Sequence, residues 1–353
     1  MRWKEFKGLL KNPLGAAGLF FIALTFFVAV FAYLIIPDDS PNANQMNLAL
    51  ANKPPGFKVD VLVIPGQLQE HSFWRKLIEG SPLQKKQIAV ADYSISADSI
   101  QYHSYTGSAP GAKNAVSLNT DYGKCWVEKK TFYLGTDKYG RDLLSRLLLG
   151  SRISITVGFI SVLISLIIGI PLGLLAAYYG GLLDRIIMWL VNVVWSIPTL
   201  LLVIAITLAL GKGFWQVFIA VGCTMWVEVA RVVRGQVKSI REKEYIQAAK
   251  MLALGDWRIM FRHILPNAIA PVIVISSANF ASAILIESGL SFLGIGAQPP
   301  LPSWGGMIKD HYAYLVVGKA YLAMAPGMAI MLLVLSFMMV GNALRDVLDV
   351  RNS

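Results

Sequence analysis

Two cysteines, four histidines and a charged fraction of 15% in 353 residues are what this sequence has least of. Cys125 and Cys223 are too few for a disulfide framework or a cysteine metal site. Cys223 lies in an apolar run and reads as a small buried hydrophobe. His71, His103, His263 and His311 share no metal-ligand spacing, so no metal site is expected. No Gly-Lys pair is followed by Ser or Thr. The pairs read Gly123-Lys124-Cys125, Gly211-Lys212-Gly213 and Gly318-Lys319-Ala320, which excludes a phosphate-cradling loop and nucleotide hydrolysis by this chain. "GLSFLG" sets a serine among glycines at the wrong spacing for a nucleophile elbow. A regular arginine ladder and a filter-like carbonyl loop are also missing. No catalytic residue is expected.

What the chain has instead is apolar length. It is 55% hydrophobic with a positive mean hydropathy, the signature of an integral membrane protein. Six segments are long and apolar enough to span: Leu14–Ile36, Ile153–Tyr179, Ile186–Leu210, Phe214–Val233, Ala268–Ile286 and Tyr321–Val340. The first is about 35 Å long as a helix, against a hydrocarbon core of about 30 Å. Only helices satisfy their own backbone in lipid at this length, so an all-α membrane protein with six transmembrane helices is expected. Glu228, Arg231 and Arg234 crowd the end of the fourth segment, which spans with a boundary near Val227. The first run is too long for a signal peptide, and Pro37-Asp38-Asp39 follows it instead of a small-residue cleavage site, so a retained anchor is expected.

The net charge of +11 is explained by topology. An inward N-terminus places Arg185, the basic loop after the fourth segment and the C-terminal tail inside. The two short outer loops then hold only Lys212, Lys309 and Lys319. Both termini are therefore expected in the cytosol. No nucleic-acid partner is expected; the lipid bilayer is one.

Three regions follow: residues 1–40 as tail and first span, 41–130 as an extracytoplasmic insertion, and 131–353 as the core. Residues 37–152 face outward. "FKVDVLVI" (57–64) and parts of "KQIAVADYSIS" and "SIQYHSYT" alternate as strands do. "EHSFWRKLIEG" (70–80) puts Phe73, Trp74, Leu77 and Ile78 on one helical face. The insertion reads either as a small mixed α/β unit or as a partly ordered loop. The outer connection 287–320 is rich in Gly and Pro and is expected to be irregular, not helical, with Glu287 reaching water or capping it. Asn192, Ser196, Thr199, Ser276 and Asn279 lie within spans, where they line a passage or bond helix to helix.

The inward segment 228–267 is too charged to span. Tyr245, Ala248, Ala249 and Leu252 fall at i, i+3, i+4 and i+7, one helical face with small residues at its centre. Gly255 is expected to stop that helix and Asp256 to cap the next. Trp257, Phe261, Ile264 and Leu265 form a second apolar stripe, and Pro266 ends that helix or begins the next span. Such a segment either lies flat on the membrane or docks to a soluble partner.

"YIQAAKMLALGDWRIMFRHILPNAIAP" resembles the EAA loop of binding-protein-dependent ABC importer permeases, and in particular the C-type subunit of the dipeptide/oligopeptide/nickel group. "LGTDKYGRDLLSRLLLGSRISITVG" (134–158), "SIPTLLLVIAI" (196–206), "ESGLSFLGIGAQPPLPSWGGMI" (287–308) and "APGMAIMLLVLSFMMVGNALRDVLDVR" (325–351) are similar to the same group. The resemblance implies a type I importer core, a second (B-type) permease subunit, two ABC ATPase subunits holding ATP and Mg, and an extracytoplasmic substrate-binding protein. It implies inward transport of peptides or similar small solutes by alternating access, with no cofactor bound by this chain. ATPase coupling would fall on Glu244, Tyr245, Gln247, Ala248, Ala249, Leu252, Ala253, Gly255 and Arg258. Three departures stand out. Gln247 occupies the usual Glu position, Ala253 the usual Gly position, and Val350 a position where proline is common. An autonomous transporter or channel, or an anchored sensor using the outer segment, are the alternatives.

Overall fold

The computed structural model describes residues 3–66, 72–81, 85–107, 110–211 and 213–348, with side chains from residue 7 onward except Pro110. His71, Lys212 and Val350, each read above, lie outside the described residues. The chain divides into two compact units. One comprises Met1–Thr25, Ser154–Gln298 and Ala329–Ser353; the other comprises Phe26–Ile153 and Pro299–Met328.

Among the described residues, five helices are long and apolar enough to cross a membrane: Pro13–Ile35, Leu143–Tyr179, Phe214–Arg241, Asp256–Leu293 and Tyr321–Leu348. A short helix α1 (Trp3–Lys11) precedes α2 (Pro13–Ile35), and the Asn12 side chain caps α2 by accepting from the Leu14 and Gly15 amides at 3.0 and 3.1 Å. The seven-residue α3 is Phe73–Glu79, and α4 is Leu143–Tyr179. The third expected span is corrected. It is two helices, α5 (Gly181–Trp195) and α6 (Thr199–Leu210), bent by 91° between them. Pro198 causes the break: it lacks an amide proton and steers Ile197 away from helical geometry. Six spans are reached only if this bent pair is counted as one.

α7 runs unbroken from Phe214 to Arg241, past the boundary expected near Val227. After it come α8 (Glu244–Met251), α9 (Asp256–Arg258), a π-helical turn over Ile259–Ile264 and α10 (Leu265–Leu293). The stripe from Trp257 to Leu265 is therefore not a separate helix; it feeds directly into the next span. Pro266, in the first turn of α10, leaves unmade an amide bond that a helix start does not require. Glu287 and its neighbours belong to α10, and α11 (Trp304–His311) interrupts the connection expected to be irregular. The last helix, α12, is Tyr321–Leu348.

In the first unit, α4 and α7 approach at backbone distance. A Cβ on Gly169 would lie 2.6 Å from Val229 Cβ, one on Gly173 2.5 Å from the Ala230 carbonyl oxygen, and one on Gly222 2.6 Å from Ile164 Cβ. Gly169 and Gly173 are the small-xxx-small spacing that lets membrane helices pack closely. Beside this seam, Leu174, Ala177, Val229, Val233, Val237 and Ile240 form a buried cluster. Along α12, Ala343 and Val340 face Gly15 and Gly18 in the same manner.

In the second unit, β1 (Phe57–Pro65), β2 (Lys85–Ile95), β3 (Ser99–Tyr105), β4 (Pro110–Ser117) and β7 (Trp126–Phe132) form an antiparallel sheet of order β4-β3-β2-β1-β7; β5 (Asn119–Thr120) and β6 (Gly123–Lys124) pair separately. The alternation of β1 divides its two faces. Val59, Val61 and Val63 pack with Ala89, Phe132 and Leu50, whereas Leu62 packs with Val90, Ile100, Tyr102 and Cys125. Next to the sheet, Asp137 accepts from Arg141 Nε at 2.6 Å with Arg146 Nε 3.9 Å away, all three buried. Lys138 meets Asp310 at 3.0 Å, and His311 is buried with Nδ1 2.7 Å from the Met307 carbonyl. Burial holds the His311 imidazole below its ordinary value and therefore neutral.

The end of α8 carries a local conflict. The Leu254 amide bonds the Ala249 carbonyl at 3.3 Å and the Ala253 amide bonds the Lys250 carbonyl at 2.9 Å, the double bond of a Schellman termination. Its left-handed position is Ala253, at φ 53°, so the stop lies two residues before Gly255. Gly255 instead occupies the N-cap position of α9, which places Asp256 inside the helix. Two outcomes follow. Ala253→Gly should stabilise the protein by roughly 0.5–1 kcal/mol, the left-handed strain relieved less the added freedom of the unfolded chain, read as a raised thermal midpoint in detergent. Gly173→Leu should destabilise by about 1–3 kcal/mol in the same assay, because its side chain meets backbone.

Candidate functional site

α8 is held from beneath and open above. Ile246 and Ala249 are buried in the cluster that contains Leu174, Ala177 and Tyr178 of α4, Val229 to Ile240 of α7, and Ile259, Met260 and Ile264. Polar ties fix the same seat. Arg241 donates to the carbonyls of Ala177 and Tyr178, both at 2.9 Å, and the Tyr178 hydroxyl donates to Asp256 at 2.6 Å. Lys250 lies 5.4 Å from the Tyr178 ring centre, and Asn267 donates to the His263 carbonyl at 2.7 Å and to the Tyr245 hydroxyl at 3.4 Å. Gln247 Nε2 donates to the Arg241 carbonyl at 3.0 Å. A carboxylate at 247 has no proton to give that carbonyl, so the amide adds an anchor here.

The expected face Tyr245, Ala248, Ala249 and Leu252 is split. Ala249 points into the cluster; Tyr245, Ala248 and Leu252 are exposed. Glu244 is exposed in the first turn, where its charge suits the helix dipole, and Arg258 is exposed on α9. Met251 and Leu252 are 88% and 75% exposed, and Trp257 is 64% exposed and stacked on Phe261 with centroids 5.4 Å apart. The sequence reading missed the inward anchor Ile246. Its spacing to Ala249 is also one helical face, and Ala249 belongs to both.

The span residues separate into two groups. Around the α5–α6 bend, Asn192 accepts from Arg231 at 2.9 Å, the Arg231 guanidinium stacks on Trp195 at 3.6 Å, and Ser196 donates to the Asn192 carbonyl at 2.7 Å. Asp184 takes both Arg234 (2.5 and 2.7 Å) and Lys238 (3.1 Å), so α5 is clamped to α7 by paired charges. Thr199 lines a cavity of about 300 Å³ with Glu228, Thr224 and Ser282. On α10, Ser276 is spent on the Val272 carbonyl at 2.7 Å. Asn279 is buried outside that cavity, and neither of its amide atoms has a partner among the described residues. Glu287 is also buried, not solvated as expected. Ser291 donates to one of its oxygens at 2.6 Å, and the other has no partner among the described residues. Glu287 lies one helical turn before Ser291, inside a helix that continues to Leu293, so it never reaches the connection.

Comparison with known proteins points to a family. The description "binding-protein-dependent transport system inner membrane component" matches residues 169–353, and "N-terminal TM domain of oligopeptide transport permease C" matches residues 2–55. The glutathione transport system permease protein GsiD of Pectobacterium atrosepticum is 42% identical over 62% of this chain and 72% of its own length. The dipeptide transport system permease protein DppC of Alkalihalophilus pseudofirmus is 42% identical over 62% and 71%. An inward-facing structure of the MetNI methionine ABC transporter is 19% identical with a TM-score of 0.49, over 58% of this chain and 97% of that one. The chain belongs to the family of binding-protein-dependent transport system inner membrane components, as an ABC importer permease subunit without catalytic chemistry of its own.

Proposed function

We propose that this subunit moves peptides or similar small solutes inward by alternating access, and that α8 is the helix through which partner ATPases drive it. The observation that carries the reading is the combination found at α8. Its lower face is locked to the ends of α4 and α7 through Ile246 and Ala249, while Tyr245, Met251, Leu252 and Trp257 stand exposed. A helix that must pass a partner's displacement to the bundle needs such a seat, since packed side chains and rigid elements carry coupling. The names of the dipeptide and glutathione relatives support the solute class.

In this reading the core is of the type I importer kind and pairs with a B-type permease. Two ATPases bind ATP and Mg below α8, and a substrate-binding protein docks outside. Residues 1–40 form the tail and first span, 41–130 the extracytoplasmic insertion and 131–353 the core, with both termini cytosolic as the lysine and arginine placement favours. Glu244, Tyr245, Ala248, Leu252 and Arg258 offer the docking surface. Gln247, Ala249, Ala253 and Gly255 hold its shape. If the contact includes an ion pair, Glu244 is the carboxylate placed for it. Asn192, Ser196 and Thr199 mark the solute path, joined by Glu228, whose carboxylate in the Thr199 cavity suits the ammonium group of a peptide; Ser276 and Asn279 are assigned to the α10 side of the same path.

Ala248 is a better probe than Ala249, because a change at Ala249 also breaks the core. Ala248→Arg in the reconstituted complex should abolish substrate-stimulated ATP hydrolysis while permease yield is unchanged; normal stimulated hydrolysis in that variant overturns the docking role. Glu228→Gln should raise the half-saturating peptide concentration for uptake about tenfold, the loss of one charge-assisted hydrogen bond, with unstimulated ATPase unaltered.

A further inference from the structure

The short helix α3 has no role in that reading, yet it is tied with unusual care. Arg152, near the start of α4, donates to the last-turn carbonyls of α3, Leu77 at 2.6 Å and Ile78 at 3.0 Å. The same guanidinium donates to Ala29 at 2.5 Å and Val30 at 2.9 Å in α2, and stacks 4.8 Å from the Tyr33 ring centre. Those two carbonyls precede Phe31, where α2 leaves helical conformation at φ −97° and ψ 16°. Behind α3, the Ser81 amide bonds the Asp39 carbonyl at 2.7 Å, and a Cβ on Gly80 would meet the Tyr33 ring at 2.7 Å. One cation thus closes the C-terminus of α3 and fastens it to the last turns of an apolar span.

The face that α3 turns outward is apolar. Phe73, Trp74 and Ile78 are 57%, 69% and 67% exposed, and the charged pair Arg75–Glu79, 2.9 Å apart, lies on the other side with Lys76. By helical rotation the apolar residues and Leu77 share one arc and the three charged residues the opposite arc. Six residues separate Ala29 from the end of α2, about 9 Å of rise, so the attachment lies within two turns of the end of an apolar span. Around it α2 exposes Phe26, Phe27, Val30 and Leu34. Tryptophan and phenylalanine beside a span end are what the membrane–water interface favours.

We propose that α3 is an interfacial membrane anchor. Phe73, Trp74 and Ile78 insert among the lipids that surround the end of α2, and Arg152 sets their depth. The occupant of this face is the bilayer. It is favoured over a soluble partner by continuity with the exposed surface of α2 and by the charges pointing away from it.

The test uses the full-length chain in its purified complex, in lipid nanodiscs, with Cys223→Ser so that only the buried Cys125 remains. Nitroxide labels are attached to Trp74→Cys, Ile78→Cys, Lys76→Cys and, as a lipid-facing reference, Leu34→Cys. Collision with oxygen should exceed collision with aqueous nickel chelate at positions 34, 74 and 78, and the order should reverse at 76. Equal ratios at 74 and 76 overturn the anchor. So does a label at 74 or 78 that meets nickel chelate more than oxygen, or one shielded from both only after the substrate-binding protein is added, which would make this face a protein dock.

Discussion

The close approach of α4 and α7 is the constraint from which the first unit is built. Lipid tails are as apolar as leucine, so membrane helices gain little from hiding apolar surface from one another and must gain from contact itself. Gly169, Gly173 and Gly222 allow that contact by removing the side chains that would hold the backbones apart. The seam continues into the cluster of Val229, Val233, Val237 and Ile240, and Ile246 and Ala249 of α8 complete it. The segment that carries α8 is therefore not a loop hung from two spans. It is part of the packing of their ends, and a push on α8 meets a close-packed solid rather than a hinge.

Charge is handled differently along the same helices. Asp184 with Arg234 and Lys238, and Arg231 with Trp195 and Asn192, pair α5 to α7 and give cations near the apolar region partners on the facing helix. These pairs sit beside the Pro198 break, where α5 and α6 part by 91° and Thr199 faces a cavity with Glu228. Glu228 and Thr199 line that cavity, whereas Ser196 and Ser276 are each spent on a carbonyl of their own helix.

The second unit solves another problem, that of fastening polar connecting segments to apolar helices. Its answer is cations, buried at Arg141 and Arg146 and half-buried at Arg152. Arg141 and Arg146 share Asp137, and Arg152 collects four carbonyls from α2 and α3. The neutral His311 between Met307 and Lys138 belongs to the same cluster. Each of these guanidiniums binds several acceptors at once, which a single lysine ammonium could not span in so fixed a geometry.

Much of this was legible in the order of residues. Charge-free apolar runs determine spanning helices because a backbone in lipid has no alternative partner. The alternation of "FKVDVLVI" determines a strand with two buried faces, and the blocks around the coupling segment determine the family. What single-chain periodicity cannot supply is which of two overlapping faces is covered. Tyr245, Ala248 and Leu252 share a stripe with Ala249, and only the presence of α4 and α7 beneath decided that Ala249, with Ile246, turns inward. Nor could local rules find the helix stop at Ala253, since glycine at 255 is the stronger local signal and the packed position of Leu254 outweighs it. Glu287 looked like the end of a span and is buried, because α10 continues to Leu293. The sequence by itself determined which segments must leave water; the tertiary structure alone decided what each of them faces, because that depends on neighbours far away in the chain.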